Sequence, residues 1–526
     1  MSSVTLRLSA LGFWKLAGLS FLLGLLLATT FAPLHLVFFL PICFSGMLIL
    51  LSQAKTRWQA FFIGWWFGWG QFMAGLYWIG VAFTIDAEAH AALLPLPIMG
   101  LPAFLAIYCG LATLITYLLK VSGVNRILIF SGLWVLAEYA RGTLFTGFPW
   151  NLAGYAWGNV LPMLQWSAFI GIYGLTLMTV LISSLPALLA EEDIKQKNKN
   201  TAMLITCGLL AVMVGIGYIR LQADPLPALE NSNIRLVQPN IAQADKWKPE
   251  LKFGHVKRLA EMSIGDGSDG TRPRILIWPE TAVPFFLTTD NNLKFYLQRF
   301  IPEGGALVTG APRKDTSRKR YWNSVQTLAP DGSITGLYDK RHLVPYGEYL
   351  PLHSFLKASG LASLIPVLDQ MSSFSKGEEG DLLSVPGLPS AAAFICYEVA
   401  FPWEVQTDPK AAWILNVTND GWFGNTSGPY QHLVITRTRA IEQGKSVVRA
   451  ANTGISTVID GYGRIEEKLS LNRQGILDST IPSPLEHRTL YQQTGEYLPG
   501  GLSLLLIVVA LFRHRQNRNE AVHSEV

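Results

Sequence analysis

A helix crosses the hydrocarbon core of a bilayer only where about 20 consecutive residues are predominantly apolar, and this chain repeats that pattern along its length. Seven apolar stretches precede residue 220, over approximately 11 to 31, 36 to 51, 60 to 83, 92 to 119, 127 to 147, 161 to 190 and 202 to 219, and an eighth covers 498 to 512. Backbone in contact with lipid has no water to satisfy its N–H and C=O groups, so such stretches must form helices or a closed barrel, and runs this long select helices. The expectation is a polytopic α-helical membrane domain of eight transmembrane helices. The second stretch is short, and the fourth carries Pro95, Pro97 and Pro102, which makes part of it a candidate for a re-entrant segment. The first resembles a signal peptide, but no A-x-A site follows and more spans come after it, so it is read as an anchor.

Short loops that keep Lys and Arg mark the cytoplasmic face. Arg7, then Lys55 and Arg57, Lys120 and Arg126, Lys195, Lys197 and Lys199, and finally Arg513, Arg515 and Arg518 fall in alternate connections, while the intervening loops offer Asp86 and Glu88. Both termini are therefore expected in the cytoplasm, and the block between the seventh and eighth stretches on the opposite side. Residues 1–220 read as the membrane domain, 221–495 as an extracytoplasmic domain, and 496–526 as the eighth helix with a basic tail. The net charge of +5 is not gathered into a basic stripe with interleaved aromatics, which argues against nucleic acid. Four scattered cysteines without a CxxC pair, and histidines without an HExxH cluster, point to no disulfide scaffold, no metal and no cofactor.

Inside the 221–495 block the pattern changes. Short runs separated by turn signals are apolar on both faces, as in "IRLVQPNI", "RILIWPE", "GALVTGAP", "AAAFICYE" and "WILNVTND". Strands buried on both faces need a layer against each side of their sheet, and helical stretches such as Gln431 to Gln443 supply one. Asp331-Gly332 and Asp460-Gly461 lie between alternating runs and read as hairpin turns. The result is an α/β sandwich.

One strand raises a chemical question. The run Ala391 to Ile395 ends in Cys396, Tyr397 and Glu398. Cys43, Cys109 and Cys207 lie inside long apolar segments with no charged neighbour and read as inert filler. Cys396 sits where a buried strand stops and charge begins. A cysteine reacts as thiolate, so it needs a base or a cation beside it. Two other strand ends carry such groups. "ILIWPE" ends in Glu280, and "GLYDK" ends in Lys340, leading into "RHLVPYGEYLP". Spacings of 60 residues (280 to 340) and 56 (340 to 396) allow three separate strands to deliver these groups to one rim.

The motifs "WPE", "YDKRHLVPYGEYLP" and "CYE", in that order and spacing, resemble the Glu, Lys and Cys signatures of the nitrilase superfamily. A nitrilase-like domain set between a seventh and an eighth membrane span resembles that superfamily's membrane-embedded branch, the apolipoprotein N-acyltransferases. The resemblance covers essentially the whole chain. It implies an αββα sandwich and a triad of Cys396 as nucleophile, Glu280 as general base and Lys340 as the cation facing the oxyanion, with the backbone N–H of Tyr397 as a second oxyanion donor. It also implies transfer of a fatty acyl chain from a membrane glycerophospholipid, through a thioester on Cys396, to the α-amino group of a diacylglyceryl-cysteine apolipoprotein by a ping-pong route. The setting implied is the bacterial inner membrane, with the catalytic domain periplasmic and the protein monomeric.

Supporting residues follow from the same resemblance. Glu348 in "PYGEYLP" matches a glutamate in or beside the site, the alternative being an exposed turn acid. Glu398 either holds a neighbour or faces solvent. Tyr397, and Trp247 in "ADKWKPE", resemble positions near the acyl chain; Asn323 in "YWNS" and Trp422 in "NDGWFG" have similar standing, with packing as the alternative for all four. Should Glu280 instead pair with Arg274 at the surface, the scheme fails. Residues 351–375, rich in Leu, Ile and Phe among Ser, Gly and Lys, read as a lid or arm dipping into the membrane interface. Trp150, Tyr155 and Trp157 fit interfacial aromatics, and Glu138 with Arg141, three apart within the fifth stretch, reads as a local ion pair. The rival enzymatic reading is a membrane-tethered nitrilase-type amidase giving its acyl group to water. A receptor or transporter is a further alternative, but it leaves the three motifs unexplained.

Overall fold

The computed structural model describes residues 8–86, 88, 91–191, 195–265, 272–315, 317, 320–349, 374–378, 382–406 and 408–524. It divides into two compact units, one of Met1–Gly80, Ala92–Ala223 and Thr489–Val526, the other of Val81–Ala91 and Asp224–Arg488. The segment read as a lid, apart from 374 and 375, lies outside the described residues.

Among the described residues five helices are long and apolar enough to cross a membrane: Ala91–Leu118, Gly123–Thr146, Ser167–Ala190, Gln196–Arg220 and Tyr497–Asn519. The other three of the eight expected stretches fold as shorter or less apolar helices. The first stretch folds as Phe13–Ala28, whose 16 residues rise about 24 Å at 1.5 Å each, short of a core of about 30 Å. The second opens with a 3-10 turn at Val37–Phe39 before its helix at Leu40–Leu51. The third, Arg57–Gly75, is long enough but interleaves Trp58, Gln59, Trp65, Trp66, Trp69 and Gln71 with glycines, which dilutes its hydropathy. Those glycines have a packing use: a Cβ on Gly64 would stand 2.5 Å from the Cys109 carbonyl, so only glycine lets helix Leu101–Leu118 come this close. The fourth stretch begins as short 3-10 and π segments at Ala91–Leu93 and Leu96–Gly100, where prolines remove backbone donors, and becomes α-helical only from Leu101.

The second unit is a four-layer sandwich. Its strands are β1 Ile234–Gln238, β2 Ile275–Ile277, β3 Ala306–Asp315, β4 Arg320–Leu328, β5 Ile334–Asp339, β6 Ala391–Ile395, β7 Trp413–Thr418, β8 Val447–Ala451, β9 Ser456–Ile459, β10 Ile465–Leu469 and β11 Gly475–Ser479. They form a six-stranded sheet in the order β11-β1-β2-β3-β4-β5 and a five-stranded sheet in the order β10-β9-β8-β7-β6. Of the strands read from sequence as apolar on both faces, β1, β2 and β3 run parallel inside the six-stranded sheet, while β6, at the edge of the five-stranded sheet, runs parallel to β7, which in turn runs parallel to β8. Asp331-Gly332 joins antiparallel β4 and β5, and Asp460-Gly461 joins antiparallel β9 and β10.

Strand alternation explains the layering. Ile234, Leu236, Ile275, Ile277, Ala391, Ala393, Ile395, Trp413, Leu415 and Val417 meet in a core between the sheets. Their neighbours face outward: Val237 and Leu276 pack with Val256 and Leu259 of helix Lys252–Met262 and with Leu293 and Leu297 of helix Asn291–Gln298. Ala392, Phe394, Ile414 and Val447 pack with Ala440 of helix Gly428–Gln443 on the other side. Asp290 caps the helix at 291 by accepting from the Leu293 N–H at 3.0 Å, and Gly444, with φ 60°, ends the helix at 443 in the left-handed conformation.

Candidate active site

Three strand ends carry the site. β6 stops at Ile395 because Cys396 turns the chain with φ 53°, a left-handed conformation that costs an L-residue roughly 1–2 kcal/mol. A single 3-10 turn, Cys396–Ala400, follows. Glu280 lies just past β2, before Thr281 with φ 45°. The bend is made tight by Gly310 of β3, where a Cβ would stand 2.7 Å from Glu280 Cα and 2.6 Å from the Pro279 carbonyl. Lys340 follows β5 directly.

Glu280 and Lys340 are buried, 7% and 1% exposed, which disposes of a surface carboxylate. Arg274 pairs elsewhere, donating to Asn231 Oδ1 and the Gly304 carbonyl. Lys340 Nζ lies 3.7 Å from Glu280 Oε1 and 2.9 Å from Glu348. Asn323 Nδ2 donates to both carboxylates, at 2.8 Å to Glu280 and 3.0 Å to Glu348, and the Val344 N–H donates to Glu348 at 2.8 Å. Glu348 is thus a constituent of the cluster rather than a turn acid, and Asn323 is the bridge between its two acids. Burial disfavours the Lys340 ammonium, but Glu348 and Glu280 outweigh it and hold its pKa above the ordinary lysine range. The Cys396 thiol shares this field: burial first and then Glu280 push it up to about 12, while Lys340 pulls it down.

Glu398 does not face solvent. It is 1% exposed and accepts from the Ile395 N–H at 2.6 Å, the Arg341 N–H at 2.6 Å, the His342 N–H at 3.0 Å and the Tyr338 hydroxyl at 3.0 Å. One carboxylate therefore ties the residue before Cys396 to the two residues after Lys340. Tyr397 is buried against Phe401, with ring centroids 4.9 Å apart, and near His342. Trp247 and Trp422 are each 42% exposed, so neither is a core residue, and no hydrogen bond described for either reaches the triad.

The residue reading missed Lys246. Its ammonium, 3% exposed, donates to the Glu280 carbonyl at 2.9 Å, and burial lowers its pKa to about 8 against the pull of Glu280 and Cys396. In "ADKWKPE" it is indistinguishable from Lys248, which is exposed and pairs with Asp245 at 2.6 Å. A buried cluster of Asp420, His432 and Arg449 beneath Cys396 was also missed; a lone histidine on a helix carries no chemical signal in sequence. Among the described residues no group of three or more His, Cys, Asp or Glu could hold a metal ion.

The second unit brings Glu280, Lys340 and Cys396 to the ends of β2, β5 and β6, and its residues 233–489 match the family model described as Carbon-nitrogen hydrolase, which defines its class. Residues 23–185 match a second model, the Apolipoprotein N-acyltransferase N-terminal domain. The apolipoprotein N-acyltransferase of Rhodopseudomonas palustris is 40% identical over 517 residues, covering 95% of this chain and 96% of that protein. That of Bradyrhizobium diazoefficiens is 38% identical over 517 residues, covering 95% of each. Among solved structures, the NitN amidase from Neterenkonia sp. AN1 aligns with 50% of this chain and 95% of its own, at 19% identity and a TM-score of 0.36. The chain belongs to the apolipoprotein N-acyltransferase family.

Proposed function

We propose that Cys396 carries the acyl group, that Glu280 moves the protons and that Lys340 stabilises the oxyanion. The overall activity follows from family membership. The protein is an acyltransferase of the inner membrane that moves a fatty acyl chain from a membrane phospholipid to the α-amino group of a diacylated apolipoprotein; membership favours this over an amidase that gives its acyl group to water. The observation that carries the residue roles is the buried Glu280–Lys340–Glu348 cluster, in which Glu280 and Lys340 act on the Cys396 thiol.

In the first half-reaction the Glu280 carboxylate takes the thiol proton as sulfur attacks the ester carbonyl of the phospholipid. The carbonyl oxygen becomes an oxyanion facing the Lys340 ammonium and the Tyr397 N–H. Fixed donors of this kind are commonly worth about 3 to 4 kcal/mol in a site that excludes water. Collapse breaks the C–O bond, and Glu280 returns its proton to the departing lysophospholipid alkoxide. In the second half the amine attacks the thioester, Glu280 accepts its proton, and the Cys396 thiolate leaves and is reprotonated. Glu348 and Asn323 keep Lys340 charged and Glu280 oriented. Glu398 sets the distance between the strand ends, and Tyr397, Trp247 and Trp422 serve as aromatic surfaces for the acyl chain.

Residues 1–220 and 496–526 are proposed as the membrane domain, with eight crossings, three of them made by the shorter or less apolar helices. Residues 221–495 are proposed as a periplasmic catalytic domain acting in a monomer, with both termini cytoplasmic. Support comes from the Lys and Arg residues of alternate loops. The test is to incubate purified protein with phospholipid alone and measure intact mass. A hydroxylamine-sensitive acyl adduct is expected, absent in Cys396→Ala and discharged onto an added diacyl lipopeptide. An adduct that persists in Cys396→Ala, or that passes to water and not to the peptide, overturns the scheme.

A further inference from the structure

We propose that His432 is a positioning residue for the nucleophile: its imidazole Nε2 holds the main-chain carbonyl of Cys396, and Asp420 and Arg449 hold the imidazole. The inference rests on Cys396 being the nucleophile. Cys396 takes a left-handed conformation at the end of β6, so its carbonyl leaves the ladder to β7 and needs another partner. His432, from helix Gly428–Gln443, supplies it with Nε2 at 3.2 Å from that oxygen. A carbonyl only accepts, so Nε2 carries a proton.

The other ring nitrogen is gripped from two sides. Nδ1 lies 2.9 Å from Asp420 Oδ1 and 3.1 Å from Arg449 Nη2. A neutral ring accepts from Arg449 and a protonated ring donates to Asp420, so in both charge states the Nε2 proton stays on the Cys396 carbonyl. Asp420 accepts from Arg449 Nη2 at 2.6 Å and from Thr418 Oγ1 at 2.9 Å. Arg449, on β8, also donates to Asn416 Oδ1 of β7 and to the Ile455 carbonyl. His432, Asp420 and Arg449 are fully buried.

An apolar cluster of equal volume would stabilise a fold at least as well as buried charges of this kind. What the charges add is direction. They fix one imidazole orientation, and with it the peptide that aims Sγ. Misplacing a reacting atom by about 1 Å costs on the order of 100-fold in rate.

The experiment uses the full-length protein with phospholipid vesicles and follows acylation of Cys396 in a single turnover against phospholipid concentration. The variants are His432→Gln, whose amide reaches the position of Nε2, and His432→Asn, which falls short. His432→Asn is expected to lower the maximal acylation rate about 10- to 100-fold with the half-saturating phospholipid concentration unchanged. His432→Gln is expected to recover most of the rate and leave the pH profile as in the wild type. Wild-type acylation in His432→Asn, an effect confined to the half-saturating concentration, or equal loss in both variants would overturn the proposal. Should neither variant fold, 15N spectra of the wild-type histidines decide: an Nε2 proton is expected from pH 5 to 8, and its absence refutes the assignment. An adduct surviving in Cys396→Ala would count instead against the nucleophile itself.

Discussion

Replacing Glu280 with Gln separates two ways of making Cys396 nucleophilic, a standing thiolate and a proton removed at the moment of attack. Burial pushes the thiol up to about 12, and Glu280 contributes to the rise. At pH 7 such a group is ionised in about one molecule in 10⁵, and ionising it in place costs about 7 kcal/mol at 1.36 kcal/mol per unit. The resting site therefore holds a neutral thiol and depends on the base. Glutamine keeps the shape of Glu280 and can accept the Asn323 amide, but it cannot take a proton, and it removes the negative charge that opposes ionisation of sulfur. Two readouts should move in opposite directions. Acyl-adduct formation from phospholipid, followed by intact mass, should fall about 10²- to 10⁴-fold. Alkylation of Cys396 by iodoacetamide should shift its midpoint to lower pH, because the thiol loses an anionic neighbour. Acylation at the wild-type rate, or an alkylation midpoint that stays put or rises, would show that Glu280 neither acts as base nor acts on the sulfur.

Lys340→Met leaves Glu280 and Glu348 buried around a missing cation and should cost about 3–5 kcal/mol, read as a lowered Tm, and abolish the adduct. An unchanged Tm would mean that the cluster is not held as described. Gly310→Ala places a methyl against the backbone of Pro279 and Glu280 and should destabilise by about 1–3 kcal/mol; acylation should slow while the alkylation rate of Cys396 is retained, and full activity would show that the bend yields freely. Glu398→Gln loses charge-assisted bonds from Ile395 and Arg341, each worth about 1.5–3 kcal/mol; denaturant unfolding should register the loss, and stability equal to the wild type would remove Glu398 as the tie between strands.

Much of the architecture is written in local pattern. Apolar runs announce a membrane region because hydrocarbon imposes a length and forbids unpaired backbone. Where a stretch falls short of a long apolar helix, the cause is also local: Phe13–Ala28 ends at Thr29, and Arg57–Gly75 spends positions on Trp, Gln and Gly for packing. Strands buried on both faces and Asp-Gly turns announce the sandwich, since both are nearest-neighbour properties of the chain.

The candidate site divides along the same line. Glu280, Lys340 and Cys396 were legible because each puts a reactive group at a strand end, and Glu348 and Glu398 because they sit in the same short motifs. Nothing in those motifs tells that Asn323 bridges two acids, that Glu398 faces inward to bind three backbone amides, that Lys246 and not Lys248 turns inward, or that His432, 36 residues beyond Cys396, reaches its carbonyl. Burial, field and contact across sheets depend on which distant segments the fold stacks together. The chain by itself determined the kinds of groups and the strands that carry them; only the tertiary structure decided which of them share one desolvated volume, because proximity between residues far apart in sequence exists nowhere but in the packed state.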